Sequence, residues 1–169
     1  RRLLALTHPP SQIERGELGG EPFSYVRVVQ PVLDAHCVRC HSGDKAPNGI
    51  DLTGAGDRGF TRSYWSLCGS PTDFQGGDAN PQRAATALVP RFGQRNQIQV
   101  TPPGGMYGAL GSRLMKMLRT GHHDVALSDD ETRRLAAWID CNAIFYGVYD
   151  PARQADQLAG KTVPMPEVQ

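Results

Sequence analysis

The most constraining feature of this 169-residue sequence is the pentapeptide Cys37-Val38-Arg39-Cys40-His41. Cys-x-x-Cys-His is the signature at which a c-type haem is attached. The two cysteines lie about one helical turn apart, so both sulfurs can face the haem vinyl groups and form thioethers. His41 then falls beneath the iron and can supply a ring nitrogen as the proximal ligand. The motif therefore predicts one covalently bound haem c, held by Cys37, Cys40 and His41.

Two other kinds of site also contain Cys-x-x-Cys. A thioredoxin-like redox pair does not require the histidine that follows the second cysteine. A zinc site needs two further ligands at a similar short spacing, whereas Cys68 and Cys141 are isolated in the sequence. Haem attachment therefore explains the motif better than either alternative.

The residues before the motif have helical spacing. Val29, Val32 and Leu33 recur along one helix face and lead directly into Cys37. His36 is a tempting iron ligand, but on a helix it points about 100° away from Cys37. We expect a short helix that enters the attachment motif, with His36 packed or bonded locally.

The second axial ligand of an electron-transfer haem is normally Met or His. The segment 121–124 reads Gly-His-His-Asp and separates two predicted helices, so it can present His122 or His123 from a rigid connection. Asp124 is a candidate to orient the ligating ring. Met106, in an irregular glycine-rich loop, is the alternative. The sequence therefore offers His122, His123 and Met106 for the sixth position.

The two remaining cysteines suggest a disulfide. Covalent haem attachment takes place outside the cytoplasm, in an oxidising setting, and two spare cysteines are more often paired than free there. We therefore predict an extracytoplasmic protein with a Cys68–Cys141 bond, two buried thiols being the alternative.

Composition indicates the fold class. Nineteen glycines and 13 prolines exceed average usage and predict a loop-rich fold. We expect a mostly α, cytochrome c-like domain of a few short helices around one covalent haem, with minimal strand, that does not fold stably without haem. The expected organisation is an N-terminal extension (1–21), the monohaem domain (22–150) and an extended tail (151–169). Within it, Phe60, Tyr64 and Trp65 are expected to pack near the porphyrin, and Arg39, Arg62 or Arg113 to meet its propionates.

Charge and hydropathy exclude two partner classes. A net charge of +1 offers no basis for binding nucleic acid, which usually needs a strong basic excess. No stretch approaches the roughly 18 apolar residues that cross a bilayer. We therefore expect neither a nucleic-acid partner nor a membrane span.

Several segments resemble a known family. Residues 29–41, 112–114, 121–128 and 138–143 resemble planctomycete-type cytochrome c domains. They are similar to the C-terminal haem domain of proteins related to the hydrazine synthase alpha subunit, over roughly residues 22 to 150. The resemblance implies His122 as the distal ligand of a six-coordinate bis-His haem. It also implies electron relay to other haem domains of a larger parent protein or to a redox partner protein.

The sequence is compatible with two functions. We expect an electron-transfer module rather than a catalyst by itself, because an iron with both axial positions filled has no open site for substrate. The alternative is a haem enzyme, a peroxidase or a nitrogen-compound oxidoreductase, in which His122 and His123 act as acid and base above an open distal position.

Overall fold

The computed structural model describes residues 20–69, 87–91 and 107–165, together with residues 7, 9 and 105. Within these ranges the chain is loop-rich, with short helices and one small sheet, which confirms that part of the predicted fold class. The helices are α1 (Tyr25–Val28), α2 (Gln30–His36), α3 (Arg62–Cys68), α4 (Gly108–Gly111), α5 (Arg113–Thr120), α6 (Asp129–Asp140) and α7 (Pro151–Leu158). None of them is long and apolar enough to span a membrane.

The sheet is a single hairpin. Strand β1 (Gly56–Asp57) pairs antiparallel with β2 (Phe60–Thr61), so that Gly56 lies opposite Thr61 and Asp57 opposite Phe60. A 3₁₀ turn at Pro47–Gly49 precedes it. The predicted N-terminal extension, residues 1–21, lies outside the described residues except for residues 7, 9, 20 and 21.

Local sequence signals begin three of the helices. The hydroxyl of Thr61 accepts a hydrogen bond from the Tyr64 amide at the start of α3, and Ser112 caps α5 in the same way. Ser128 and Glu131 form a reciprocal capping box at the start of α6. Each such cap stabilises a helix by about 1 kcal/mol, because it satisfies an amide that has no partner within the helix.

An aromatic cluster forms the centre of the core. Tyr25, which is fully buried, stacks on Phe145 with ring centroids 5.0 Å apart and meets Tyr64 edge-on at 5.3 Å. Trp138 of α6 lies against Tyr25 at 5.3 Å. The Tyr25 hydroxyl donates a hydrogen bond to Ser63 at 3.0 Å, so the buried polar tip is satisfied. This cluster holds α1, α3 and α6 together.

The C-terminal tail, predicted to be extended over residues 151–169, instead begins with a helix. Asp150 caps α7 by accepting a hydrogen bond from the Arg153 amide at 2.9 Å, and Pro151 occupies the first turn. The side chain of Gln157, only 1% exposed, bonds to the Gly147 amide and the Phe23 carbonyl. A buried glutamine anchors this helix, which is why an apolar pattern could not reveal it.

Candidate functional site

A large apolar cavity lies among α2, α3, α5 and α6. Its volume is about 410 Å³, within the range of cavities that hold small molecules and cofactors. Protein interiors are otherwise closely packed, so a void of this size indicates a place for a ligand. Its apolar walls comprise Val32, Leu33, Ile50, Leu52, Leu67, Leu88, Leu114, Met117, Leu118, Val125, Leu127 and Leu135.

The attachment motif borders this cavity. Helix α2 ends at His36, and the backbone continues for one more turn in which the amides of Cys40 and His41 both bond to the Cys37 carbonyl. Cys37 and Cys40 therefore lie one turn apart, and both line the cavity, the first half-buried and the second exposed. Burial raises the pKa of the Cys37 thiol, partly offset by the nearby charge of Arg39.

His41 is held by its backbone and by its ring. The Leu52 amide donates to the His41 carbonyl at 2.9 Å, and His41 Nδ1 lies 3.1 Å from the carbonyl oxygen of Ile50. A carbonyl can only accept, so Nδ1 is the nitrogen that carries the proton. The other nitrogen, Nε2, therefore keeps a free lone pair. This is the arrangement that metal-binding histidines use.

His122, predicted as the distal ligand, lines the cavity just after the end of α5. That helix ends at Thr120, and Gly121 turns the chain with φ +98°, a conformation that glycine adopts without strain. The next two residues, His122 and His123, both line the cavity. The His122 ring faces the His41 ring with centroids 6.1 Å apart and planes inclined by 30°. The His123 ring meets the His122 ring edge-on at 4.7 Å and is exposed.

The separation of His41 and His122 fits one iron between them. A metal–imidazole bond is about 2 Å and a ring centroid lies about 1 Å behind its nitrogen, so two axial imidazoles put their centroids roughly 6 Å apart. Partial desolvation, with smaller contributions from the charges of His123 and His41, lowers the pKa of His122. A neutral imidazole is the form that binds metal. The residues present therefore fit a haem with two histidine ligands.

Other predicted ligands and partners lie elsewhere. Met106 is outside the described residues. Asp124, predicted to orient the distal ring, makes no hydrogen bond to His122 in the part of the chain that the structure describes. His36 lines the cavity, but its Nε2 lies 2.8 Å from a carboxylate oxygen of Glu131. The local bonding predicted for His36 is thus a hydrogen bond to a residue 95 positions away.

The predicted arginine and aromatic contacts are only partly present. Arg39 lines the cavity, whereas Arg62 bonds to Asp51 at 3.1 Å beside a separate, polar cleft. Arg113 is absent from the described lining. The aromatic residues expected near the porphyrin, Phe60, Tyr64 and Trp65, do not line the cavity. They belong instead to the core cluster around Tyr25 and Phe145. Aliphatic side chains form the walls instead.

The predicted Cys68–Cys141 disulfide is not formed in the structure. Cys68 is a free thiol at the end of α3, 3% exposed, and burial raises its pKa to about 12. Cys141, at the end of α6, is also free and is exposed to solvent. One side chain is part of the core and the other lies at the surface, so the pairing inferred from compartment alone was wrong for this structure.

Three features of the site escaped sequence reasoning. The Ile50 carbonyl that orients His41 and the His36–Glu131 pair depend on tertiary contacts that leave no pattern along the chain. Met117 packs against the core and also lines the cavity, five residues before His122, and no motif in the sequence marks it. Among the described residues, no group of three or more His, Cys, Asp or Glu side chains is arranged to hold a metal ion.

Comparison with known proteins gives one distant similarity. The chain is 27% identical over 133 residues to hydrazine synthase subunit alpha of Kuenenia stuttgartiensis. The match covers 74% of this chain but 16% of that protein, so the chain spans about a sixth of its length. No family model matches the sequence, and no solved structure matches it.

Proposed function

We propose that this chain binds one haem c and serves as an electron-transfer module. The observation that carries the proposal is the pairing of His41 and His122 across an apolar cavity whose rim holds Cys37 and Cys40. The residues proposed as thioether partners and as axial ligands all line this cavity, which supports the proposal. The oriented ring of His41, with its proton on the nitrogen that faces Ile50, supports the same assignment.

The residues have separate roles in this proposal. Cys37 and Cys40 anchor the porphyrin covalently, while His41 and His122 supply the two axial nitrogens. A haem with both axial positions filled exchanges one electron without binding substrate. The aliphatic walls exclude water, and two imidazoles set a lower potential than a histidine–methionine pair would. Arg39, at the cavity edge, is the arginine best placed to meet a propionate.

The alternative is a haem enzyme with an open distal position. In that case His122 would stand away from the iron and act with His123 as acid or base. The 6.1 Å separation of the His41 and His122 rings favours ligation instead, because it leaves room for one iron and no further molecule between them. We therefore place electron transfer first.

We further propose that the module belongs to a larger extracytoplasmic redox protein. The similarity to hydrazine synthase subunit alpha covers about a sixth of that protein, which supports the idea of one part within a longer chain. Its electron partners would then be other haem domains of the same parent or a redox partner protein. Synthesis of hydrazine is not assigned to this chain.

An absorption experiment on the protein produced with covalent haem tests the proposal. The ferric protein should be low-spin and should bind cyanide or azide slowly, because His122 occupies the sixth position. His122→Ala should turn the haem high-spin. His123→Ala is the matched control, since that ring is the more exposed of the two, and it should leave the haem low-spin.

Three results would overturn parts of this assignment. A protein that takes up no covalent haem would exclude the function altogether. A high-spin wild-type protein that binds azide at once would favour the enzyme. A high-spin His123→Ala beside a low-spin His122→Ala would show that the other imidazole is the ligand.

A further inference from the structure

One side-chain hydrogen bond joins the two walls of the cavity. His36 is the last residue of α2, directly before Cys37, and Glu131 lies in the first turn of α6. His36 Nε2 and Glu131 Oε1 are 2.8 Å apart, and each side chain is 25% exposed. Partial burial makes such a hydrogen bond to a carboxylate stronger than one at the surface, because water competes with it less. The contact thus links the attachment segment to the helix that follows the distal histidine.

Glu131 makes two connections at once. Its Oε2 accepts hydrogen bonds from the Ser128 amide at 2.8 Å and from the Ser128 hydroxyl at 2.9 Å, which closes the capping box of α6. Its Oε1 is left for His36. Together the Ser128 and His36 contacts lower the pKa of Glu131 to about 2, so the carboxylate is charged at neutral pH. One side chain therefore fixes the start of α6 and ties it to α2.

The loop that carries His122 has few backbone hydrogen bonds of its own. Between Gly121 and Ser128, the described backbone donates a hydrogen bond from Val125 to the His122 carbonyl and one from Ser128 to Glu131. A ring in such a loop stays 6.1 Å from His41 only if the loop ends are fixed. Its far end is the α6 terminus, which Glu131 connects to the residue before Cys37.

We propose that the His36–Glu131 pair is a positioning strap that keeps the distal loop at ligating distance from His41. This inference rests on the proposed haem function and adds a residue pair that controls it. Neither side chain touches the iron in this proposal. The strap acts through His122, by setting how often that ring leaves the sixth position and exposes it to other ligands.

Cyanide binding to the ferric haem protein measures this release, because cyanide can bind only after His122 has left. His36→Leu and Glu131→Ala should each accelerate cyanide binding about tenfold or more. The double variant should be no faster than the faster single variant, since both changes remove one contact. His36→Gln should bind cyanide within about threefold of the wild-type rate, because a glutamine amide can still donate to the carboxylate.

Two controls separate the strap from general loosening. Ser128→Ala weakens the cap but leaves Glu131 free to meet His36, so it should accelerate binding less than His36→Leu does. Lys161→Met removes the exposed pair with Asp156 and should not change the rate. If His36→Leu does not fold, Glu131→Gln tests the strap in its place, since glutamine keeps the cap and loses the charge. The rate of cyanide binding to Glu131→Gln should then be at least about threefold higher than that of the wild type.

The outcomes distinguish the strap from the function on which it rests. A low-spin wild-type protein whose His36→Leu, or failing that Glu131→Gln, binds cyanide at the wild-type rate would overturn the strap and leave the haem assignment standing. An acceleration by Lys161→Met equal to that of His36→Leu would also overturn it. A wild-type protein that is already high-spin would instead overturn the bis-histidine assignment, and the strap with it.

Discussion

The two walls of the cavity are built in different ways. On the proximal wall, His41 continues directly from α2, its amide bonds to Cys37, its carbonyl accepts from Leu52, and its ring is held by Ile50. On the distal wall, His122 follows a glycine turn and sits in a loop with few backbone hydrogen bonds of its own. The proposed proximal ligand is thus held directly at both its backbone and its ring, whereas the proposed distal ligand depends on contacts made at the ends of a loop.

This difference gives the two walls separate tasks in the proposed haem site. There, a proximal ligand fixed before the cofactor arrives would direct covalent attachment at the neighbouring cysteines. A distal ligand on a less constrained loop can adjust to the occupant and close over it. The comparison leads to four predictions.

The largest effect should come from preventing haem attachment, which removes the support for both walls. A buried cavity costs about 24 cal/mol per Å³, so leaving half of about 410 Å³ empty would cost roughly 5 kcal/mol. Net stabilities are only about 5–15 kcal/mol. A haem-free Cys37→Ala/Cys40→Ala protein should therefore lack a cooperative thermal transition, as followed by circular dichroism. A cooperative transition within about 5 °C of the haem protein's would show that the walls fold unaided.

Amide hydrogen exchange compares the walls directly. The amides of His41 and Leu52 donate within the backbone network, whereas the His122 and His123 amides donate no described backbone bond. In the haem protein the first two should exchange about 100-fold more slowly than the last two, because they open only when the helix end unfolds. Equal protection on both sides would show that the distal loop is as well fixed as the proximal turn.

Sequence alone could predict the backbone turn of the proximal wall, because residues 37–41 are neighbours in the chain, but it could not predict the Ile50 carbonyl that holds the His41 ring. The spacing from Cys37 to His41 is a property of one helical turn, and the caps at Thr61 and Ser128 act within three residues. Each of these signals is local, so the chain order already contains the geometry.

The distal wall could not be derived in the same way. Residue patterns left His122, His123 and Met106 open, and a family resemblance, not spacing, favoured His122. The His36–Glu131 contact joins residues 95 positions apart, which only the fold brings together. The disulfide failed for a related reason: an oxidising compartment gives no information about whether Cys68 and Cys141 approach each other.

Acid should weaken the distal wall through Glu131. Its pKa is lowered from 4.5 to about 2, first by the Ser128 amide and then by His36. A depressed carboxyl pKa contributes stability that is fully present above about pH 4.5 and is lost as the pH falls towards 2. The stability difference between the wild-type haem protein and Glu131→Gln should therefore shrink by about 1 kcal/mol between pH 6 and pH 2.5, because solvent screens a partly exposed carboxylate.

Chemical denaturation at the two pH values measures this difference. Asp51→Asn provides the proximal counterpart, because hydrogen bonds from Thr53 and Arg62 lower the pKa of Asp51 although partial burial opposes the shift. The stability difference between the wild-type haem protein and Asp51→Asn should likewise shrink from pH 6 to pH 2.5. A Glu131→Gln difference that is equal at pH 6 and pH 2.5 would contradict the role given to this carboxylate.

The smallest effect concerns backbone strain, which occurs on both walls. His123 adopts φ +51° on the distal side and Asn48 adopts φ +56° on the proximal side. Asparagine tolerates this conformation better than histidine does, because its short side chain can bond locally. His123→Gly should therefore stabilise the haem protein by about 0.5 kcal/mol, and Asn48→Gly by less, as measured from thermal unfolding. The spin state of the same variant tests the ligand assignment. A His123→Gly protein that is more stable but has a high-spin haem would have lost its distal ligand. His123, rather than His122, would then be the residue that faces the iron.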